Sequence, residues 1–226
     1  MSSPIFSIAC GCGLLVLGGV LVGLPTPQPL SSSPSQESWV TSSLPSSSSR
    51  WSEPAHRGIP SLPHLARKAL SHYFTTGEVL ALPQPVEVEW QRAAGVFVTL
   101  SHQGKTRGCW GSLTPIAPDL GTATIRAAIA AATRDGRYPP LQASELPEIS
   151  IQVAIVQEIL PIASVHEMDP TRFGLWVRSG SQAAVVLAGE ALTPEWQLAT
   201  ARRWAGISES AGVELFRVKT QMLYEF

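Results

Sequence analysis

Cysteine is scarce in this chain, with three among 226 residues. Two of them, Cys10 and Cys12, fall in an apolar run near the N-terminus, and Cys109 stands alone beyond it. The rest of the chain therefore has no partner for an internal disulfide and no basis for a cysteine zinc site. An excess of charge is also missing, because Lys plus Arg number 16 against 17 for Asp plus Glu. Removing the first sixty residues takes away Arg50, Arg57, Glu37 and Glu53, which leaves that balance unchanged. A generic binder of phosphate backbones carries a basic excess, so strong non-specific nucleic-acid binding is not expected. A local cationic patch stays open, since 13 of the 16 cations are arginines.

Core-forming residues are thin over residues 25–60, a stretch of serine and proline too polar to collapse. It reads as a disordered linker. Before it, residues 5–24 (IFSIACGCGLLVLGGVLVGL) are uncharged and apolar, and as a helix they would span roughly 30 Å, the thickness of a bilayer core. This run reads as an N-terminal apolar helix that anchors the chain, with the globular part on the cytoplasmic side. A cleaved export signal and a spurious upstream extension are the alternatives. Met1–Ser7 has no cation and the first downstream is Arg50, so the flanks do not set orientation. Residues 61–226 have the apolar content of one folded domain, large enough at about 165 residues to bury most of its apolar surface.

Periodicity within that domain predicts a helix from Leu62 to Gly77, with Leu62, Leu65, Ala69, Leu70 and Tyr73 at helical spacing. VEVEW, GVFVTLS and TRGCWGSL read as three successive strands, with Gln103-Gly104 as the turn between the last two. Asp119 is placed to cap a helix through LGTATIRAAIAAATRD, and one helical turn is expected at Gln142–Leu146. ISIQVAIV is a strand, and GLWVRSG with QAAVVLA form a hairpin turning near Ser179-Gly180. Thr193 caps a helix opened by Pro194 and closed by Gly206, and VELFRVKTQMLYEF supplies the last strand. Helices and strands mix without a steady βαβ rhythm, so the fold class is α+β.

Two stretches carry more than periodicity. T-R-G-C-W-G-S-L, residues 106–113, resembles the L-R-G-C-I-G-T signature of the AMMECR-one domain family. R-D-G-R-Y-P-P-L, residues 134–141, is similar to that family's R-D-x-R-F-x-P-L. The likeness continues through ELPEISIQVAIV and FGLWVRSG and covers about residues 62–226. Thr106, Trp110 and Ser112 depart from the first signature, VVLAGEALTP replaces L-L-P-Q, and Arg202 stands where a late-helix cysteine is common. The resemblance implies a mixed fold with a barrel-like sheet, flanking helices and a smaller subdomain. It also implies association with Memo-family or radical-SAM proteins in some bacteria and archaea. It implies no defined reaction and no cofactor.

The candidate residues lie in these two motifs. Cys109 is the one candidate nucleophile; a thiolate needs a nearby cation, helix N-terminus or base, and Arg107 lies two residues away on the same strand face. His102 is the nearest histidine in sequence, and packing inside a strand is the alternative role of the cysteine. Gly108 and Gly111 allow close approach, by a ligand or by the following helix, and lack phosphate-loop spacing. Trp110 and Ser112 complete the first motif. Arg134, Asp135, Arg137 and Tyr138 sit where the alanine-rich helix ends, either serving the helix dipole or, with Arg107 and Trp110, presenting an arginine-aromatic face to a small anion, RNA or a protein partner. Arg202, Arg203 and Trp204 belong to that face or to a solvated one. No metal site is read from the residues. The reading is a membrane-tethered binding or regulatory module, with a Cys109-dependent enzyme as the alternative.

Overall fold

A computed structural model describes residues 61–225. The apolar run over 5–24 and the linker over 25–60 lie outside the described residues. Among the described residues, no helix is long and apolar enough to cross a membrane.

The domain opens with α1 (Leu62–Thr76), started by a proline in its first turn and ended at Gly77, whose N–H bonds to the Tyr73 carbonyl. Its apolar stripe is buried; Leu65 and Leu70, at 2% and 0% exposure, each contribute about 1.5–3 kcal/mol by leaving water. A hairpin follows, β1 (Val96–His102) and β2 (Lys105–Gly111), turning through Gln103-Gly104 with positive φ at both residues. Asp119 caps α2 (Leu120–Thr133) by accepting the Thr122 N–H. The chain continues through β3 (Ile149–Ile162), β4 (Gly174–Ser179), β5 (Gln182–Val186), α3 (Pro194–Ala205) and β6 (Glu214–Tyr224). Thr193 caps α3 as its spacing predicts.

The six strands form one sheet in the order β2-β1-β3-β6-β4-β5, and every neighbouring pair is antiparallel. Val96, Val98 and Leu100 on one face of β1 join α1 and α2 in the largest apolar cluster. Phe97 lies on the other face, in a cluster that gathers Cys109 from the β2 edge, Ala154 from β3, Val218 from β6 and Val185 from the β5 edge. Both sheet edges thus feed one inner cluster, and the sheet curls into a half-barrel. A third cluster forms where α3 packs on β4 and β5, around Leu175, Val177, Val186 and Ala201. The class is α+β, as read from the sequence.

Two expectations are corrected. VEVEW is no strand: Val88–Trp90 forms a 3-10 turn. Both edges of β1 are taken by β2 and β3, so no ladder is open to it, and Trp90 turns into the α1–α2 core at 6% exposure. The third strand runs six residues past Val156, to Ile162. Its far end pairs only with β6, with Pro161 opposite Phe216, and there β3 needs no second ladder, which is where a strand tolerates proline.

Candidate functional site

The hairpin register decides where Cys109 points. It faces Thr99 across the β1–β2 ladder, on the inner side of the half-barrel, and is fully buried. Its Sγ lies 3.2 Å from the Thr99 hydroxyl, and Phe97, Leu113, Ala154 and Leu187 share its cluster. The nearest histidine in sequence does not serve it, because His102 Nε2 pairs with Glu148 at 2.7 Å. A thiolate nucleophile has to be reachable. This sulfur is enclosed.

β2 is an edge strand, so the Cys109 N–H must find a partner outside the sheet. It donates to Asp135 Oδ2 at 2.8 Å. The Asp135 side chain is 1% exposed, and a carboxylate that deep needs compensation. Arg137 supplies it, with Nε at 2.8 Å from Oδ1, Nη2 at 2.6 Å from Oδ2 and its backbone N–H at 3.2 Å. The Arg137 guanidinium in turn lies over the rings of Tyr138 at 5.5 Å and Trp204 at 5.8 Å. The end of α2 is thereby linked at once to the β2 edge and to the last turn of α3, across the open seam of the half-barrel.

Arg107 takes a different place from the one its spacing implies. Leu100 faces Gly108 and Ser101 faces Thr106, so Arg107 is the extra residue of a bulge. Its fork clasps Glu145, with Nε to Oε1 at 2.8 Å and Nη2 to Oε2 at 3.0 Å. Nη1 donates to the Pro139 carbonyl at 2.7 Å, and Nη2 reaches the Pro140 carbonyl at 3.4 Å. The Arg107 hydrogen bonds hold the Glu145 carboxyl below its ordinary value, and the Gln142 N–H adds to this. Arg107 is thus engaged by its own chain.

The two glycines answer the question of close approach. A Cβ on Gly108 would sit 2.2 Å from the Ala131 carbonyl oxygen of α2, and one on Gly111 would sit 2.3 Å from that of Val96 in β1. Both neighbours are backbone of the same chain. Trp110 points to the opposite face from Cys109 and packs on the α1–α2 cluster. Ser112, 5% exposed, accepts the Thr114 N–H at 3.2 Å. Arg134 closes α2, its N–H bonded to the Ala130 carbonyl, and its side chain is exposed.

The fold therefore brings Cys109, Asp135, Arg137 and Tyr138 together, sets Arg107 of β2 against the loop that follows them, and leaves Trp110, Ser112 and Arg134 apart. Of the late-helix trio, Trp204 joins the seam, whereas Arg202 donates to the Ser208 and Ala211 carbonyls. Sequence reasoning missed Thr99 and Glu145 as partners. The two-residue turn predicts His102 opposite Lys105, but the bulge that shifts Thr99 opposite Cys109 leaves no local mark. Among the described residues, no group of three His, Cys, Asp or Glu is placed to hold a metal ion.

Comparison with known proteins bears on the same region. A protein of Thermotoga maritima is 36% identical over 157 residues, covering 67% of this chain and 90% of that protein. One of Thermococcus gammatolerans is 38% identical over 136 residues, covering 56% of this chain and 66% of that protein. The crystal structure of the uncharacterized protein PH0010 of Pyrococcus horikoshii superposes with a TM-score of 0.67 at 28% identity, over 74% of this chain and 90% of that one. The family model described as AMMECR1 matches residues 63–223, a span that holds the β2 edge, the α2 end and the late-helix tryptophan of the seam. The chain belongs to the AMMECR1 family.

Proposed function

We propose that this domain is a non-catalytic binding module that offers its loop 134–148 to a protein partner. One observation carries the reading: Arg107, Asp135 and Arg137 of the two motifs are spent on holding that loop, while its outer surface stays exposed. Arg107 grips the Pro139 and Pro140 carbonyls and Glu145, and Asp135 with Arg137 fixes the loop's start. Arg134, Pro139, Pro140, Gln142, Ala143 and Ser144 remain exposed. A loop held by a rigid scaffold is a common recognition surface. With Arg107 and Arg137 both paired to carboxylates, Arg134 is the exposed cation that the two motifs leave to this surface, which favours a protein over RNA or a small anion. The partner class is the Memo-family or radical-SAM kind that the family resemblance implies. Residues 5–24 would tether the module to a membrane, with the domain on the cytoplasmic side.

The test titrates the purified chain with a Memo-family protein, a radical-SAM protein, single-stranded RNA and inorganic phosphate. The expected result is saturable binding of one of the two proteins, weakened about tenfold or more by Ser144→Arg. Binding of RNA or phosphate alone, or protein binding indifferent to Ser144→Arg, overturns the reading.

A further inference from the structure

A cavity of about 450 Å³ opens on the outer face of the sheet, where the first two helices begin. Leu62 and Leu120, the first residues of α1 and α2, line it with Trp90 of the 3-10 turn. Ile155 of β3 stands opposite Gln221 of β6 in the ladder, and Leu223 follows on the same strand face. The floor is therefore apolar, while Glu89, Arg92 and Gln221 on the lining are exposed. Among the described residues, the side chains of these three have no ion pair and no hydrogen bond. Ile155 lies six residues along β3 from Ile149, where loop 134–148 joins the strand, roughly 20 Å away. The cavity is thus separate from the surface proposed above for a protein partner.

We infer that this cavity binds a small zwitterion with an apolar side chain, of the class of the aromatic and branched α-amino acids. Its volume falls in the range of small-molecule sites, and its floor suits an apolar group. The charges on the lining decide the head group. A ligand with a carboxylate alone meets the repulsion of Glu89, and one with an ammonium alone meets that of Arg92. A molecule with both charges on one carbon atom matches both, its ammonium donating to Glu89 and its carboxylate accepting from the Arg92 fork. Glu89 and Arg92 flank Trp90 in the chain, so both charges stand where the floor begins. The Gln221 amide can donate to the carboxylate or accept from the ammonium. Exposed ion pairs are individually weak, so burial of the side chain supplies the affinity and the charged lining selects the head group.

Calorimetric titration of the purified chain tests this with L-tryptophan, L-leucine, glycine, tryptamine and indole-3-propionate. Saturable binding of tryptophan or leucine is expected at millimolar concentration or below, and none of glycine, which has no side chain for the floor. Tryptamine lacks the carboxylate and indole-3-propionate lacks the ammonium, so each is expected to bind about three- to fivefold more weakly than tryptophan. Glu89→Gln removes the preference for tryptophan over indole-3-propionate, and Arg92→Gln removes the preference over tryptamine. Gln221→Trp, at an exposed position, fills the opening and abolishes binding. All three changes lie on exposed side chains, so circular dichroism is expected to match that of the parent. Failure of both amino acids to saturate at millimolar concentration overturns the inference. Equal binding of tryptophan and its two analogues also overturns it, since the cavity would then read only an apolar body. Binding indifferent to Gln221→Trp overturns it too, since the ligand would then sit elsewhere.

Discussion

Asp135 accepts the backbone N–H of Cys109 at 2.8 Å across 26 positions of sequence. An aspartate from one family motif thereby closes the hydrogen-bonding edge of the strand that carries the other. That contact, more than the thiol, explains why the two motifs occur together in this chain.

Replacing Asp135 is expected to be severe. Asp135→Asn keeps the shape but turns an amide donor toward Arg137 or the Cys109 N–H, leaving the partly buried Arg137 without its counter-charge. A loss of about 3–5 kcal/mol is expected from urea unfolding, with Asp135→Ala similar. A loss below about 1 kcal/mol would mean that the seam does not depend on this carboxylate.

The Arg137–Trp204 contact, at 5.8 Å, is expected to restrain opening of the inner cluster. With Cys10 and Cys12 replaced by serine, Cys109 becomes the reporter for thiol labelling. Slow labelling is expected in the parent, and about three- to tenfold faster labelling in Trp204→Leu, for a partly exposed cation–π contact. Rapid labelling of the parent near neutral pH would instead mark Cys109 as an activated nucleophile.

Gly108→Ala places its new methyl group on the Ala131 carbonyl, backbone against backbone, where neither side can yield. A cost of about 3 kcal/mol or more, or failure to fold, is expected. Gly136 has nothing within 4 Å of a built Cβ, so Gly136→Ala is expected to stay within about 0.5 kcal/mol of the parent. Thermal unfolding of both variants checks the pair.

Glu145 provides the pH test. Its folded value is lowered, chiefly by the Arg107 hydrogen bonds, so below its ordinary value of 4.5 the unfolded chain binds more protons than the folded one. Stability from this pair is therefore fully present above that value and is lost as pH falls through the folded value. Glu145→Gln is expected to flatten the acid limb of the stability profile between pH 5 and 3, measured by denaturation at fixed ionic strength. An unchanged slope would show that the clasp contributes nothing.

Much of the architecture was legible locally. Asp119, Thr193 and Gly77 mark helix ends because capping is a contact within three or four residues. Gln103-Gly104 marks its hairpin because a two-residue turn demands positive φ. VEVEW failed the same logic: its alternation fits a strand, but a strand also needs a free edge, and β1 had none. The candidate site was legible as a set of residues and not as a set of contacts. Arg107 was read on the same strand face as Cys109 because two-residue periodicity says so, and a single bulge undid that.

Composition and short-range pattern by themselves determined the α+β class, the helix caps, the hairpin and the two motifs that mark the family, since each depends on neighbours a few residues apart. Only the tertiary structure decided that Cys109 is enclosed, that Arg107 belongs to Glu145, that Asp135 seals the β2 edge, and that Trp204 leans on Arg137. Those partners are 26 to 67 positions apart. Curling of the sheet brings them together, because an edge-strand N–H and a buried carboxylate must each be satisfied by whatever the fold sets beside them.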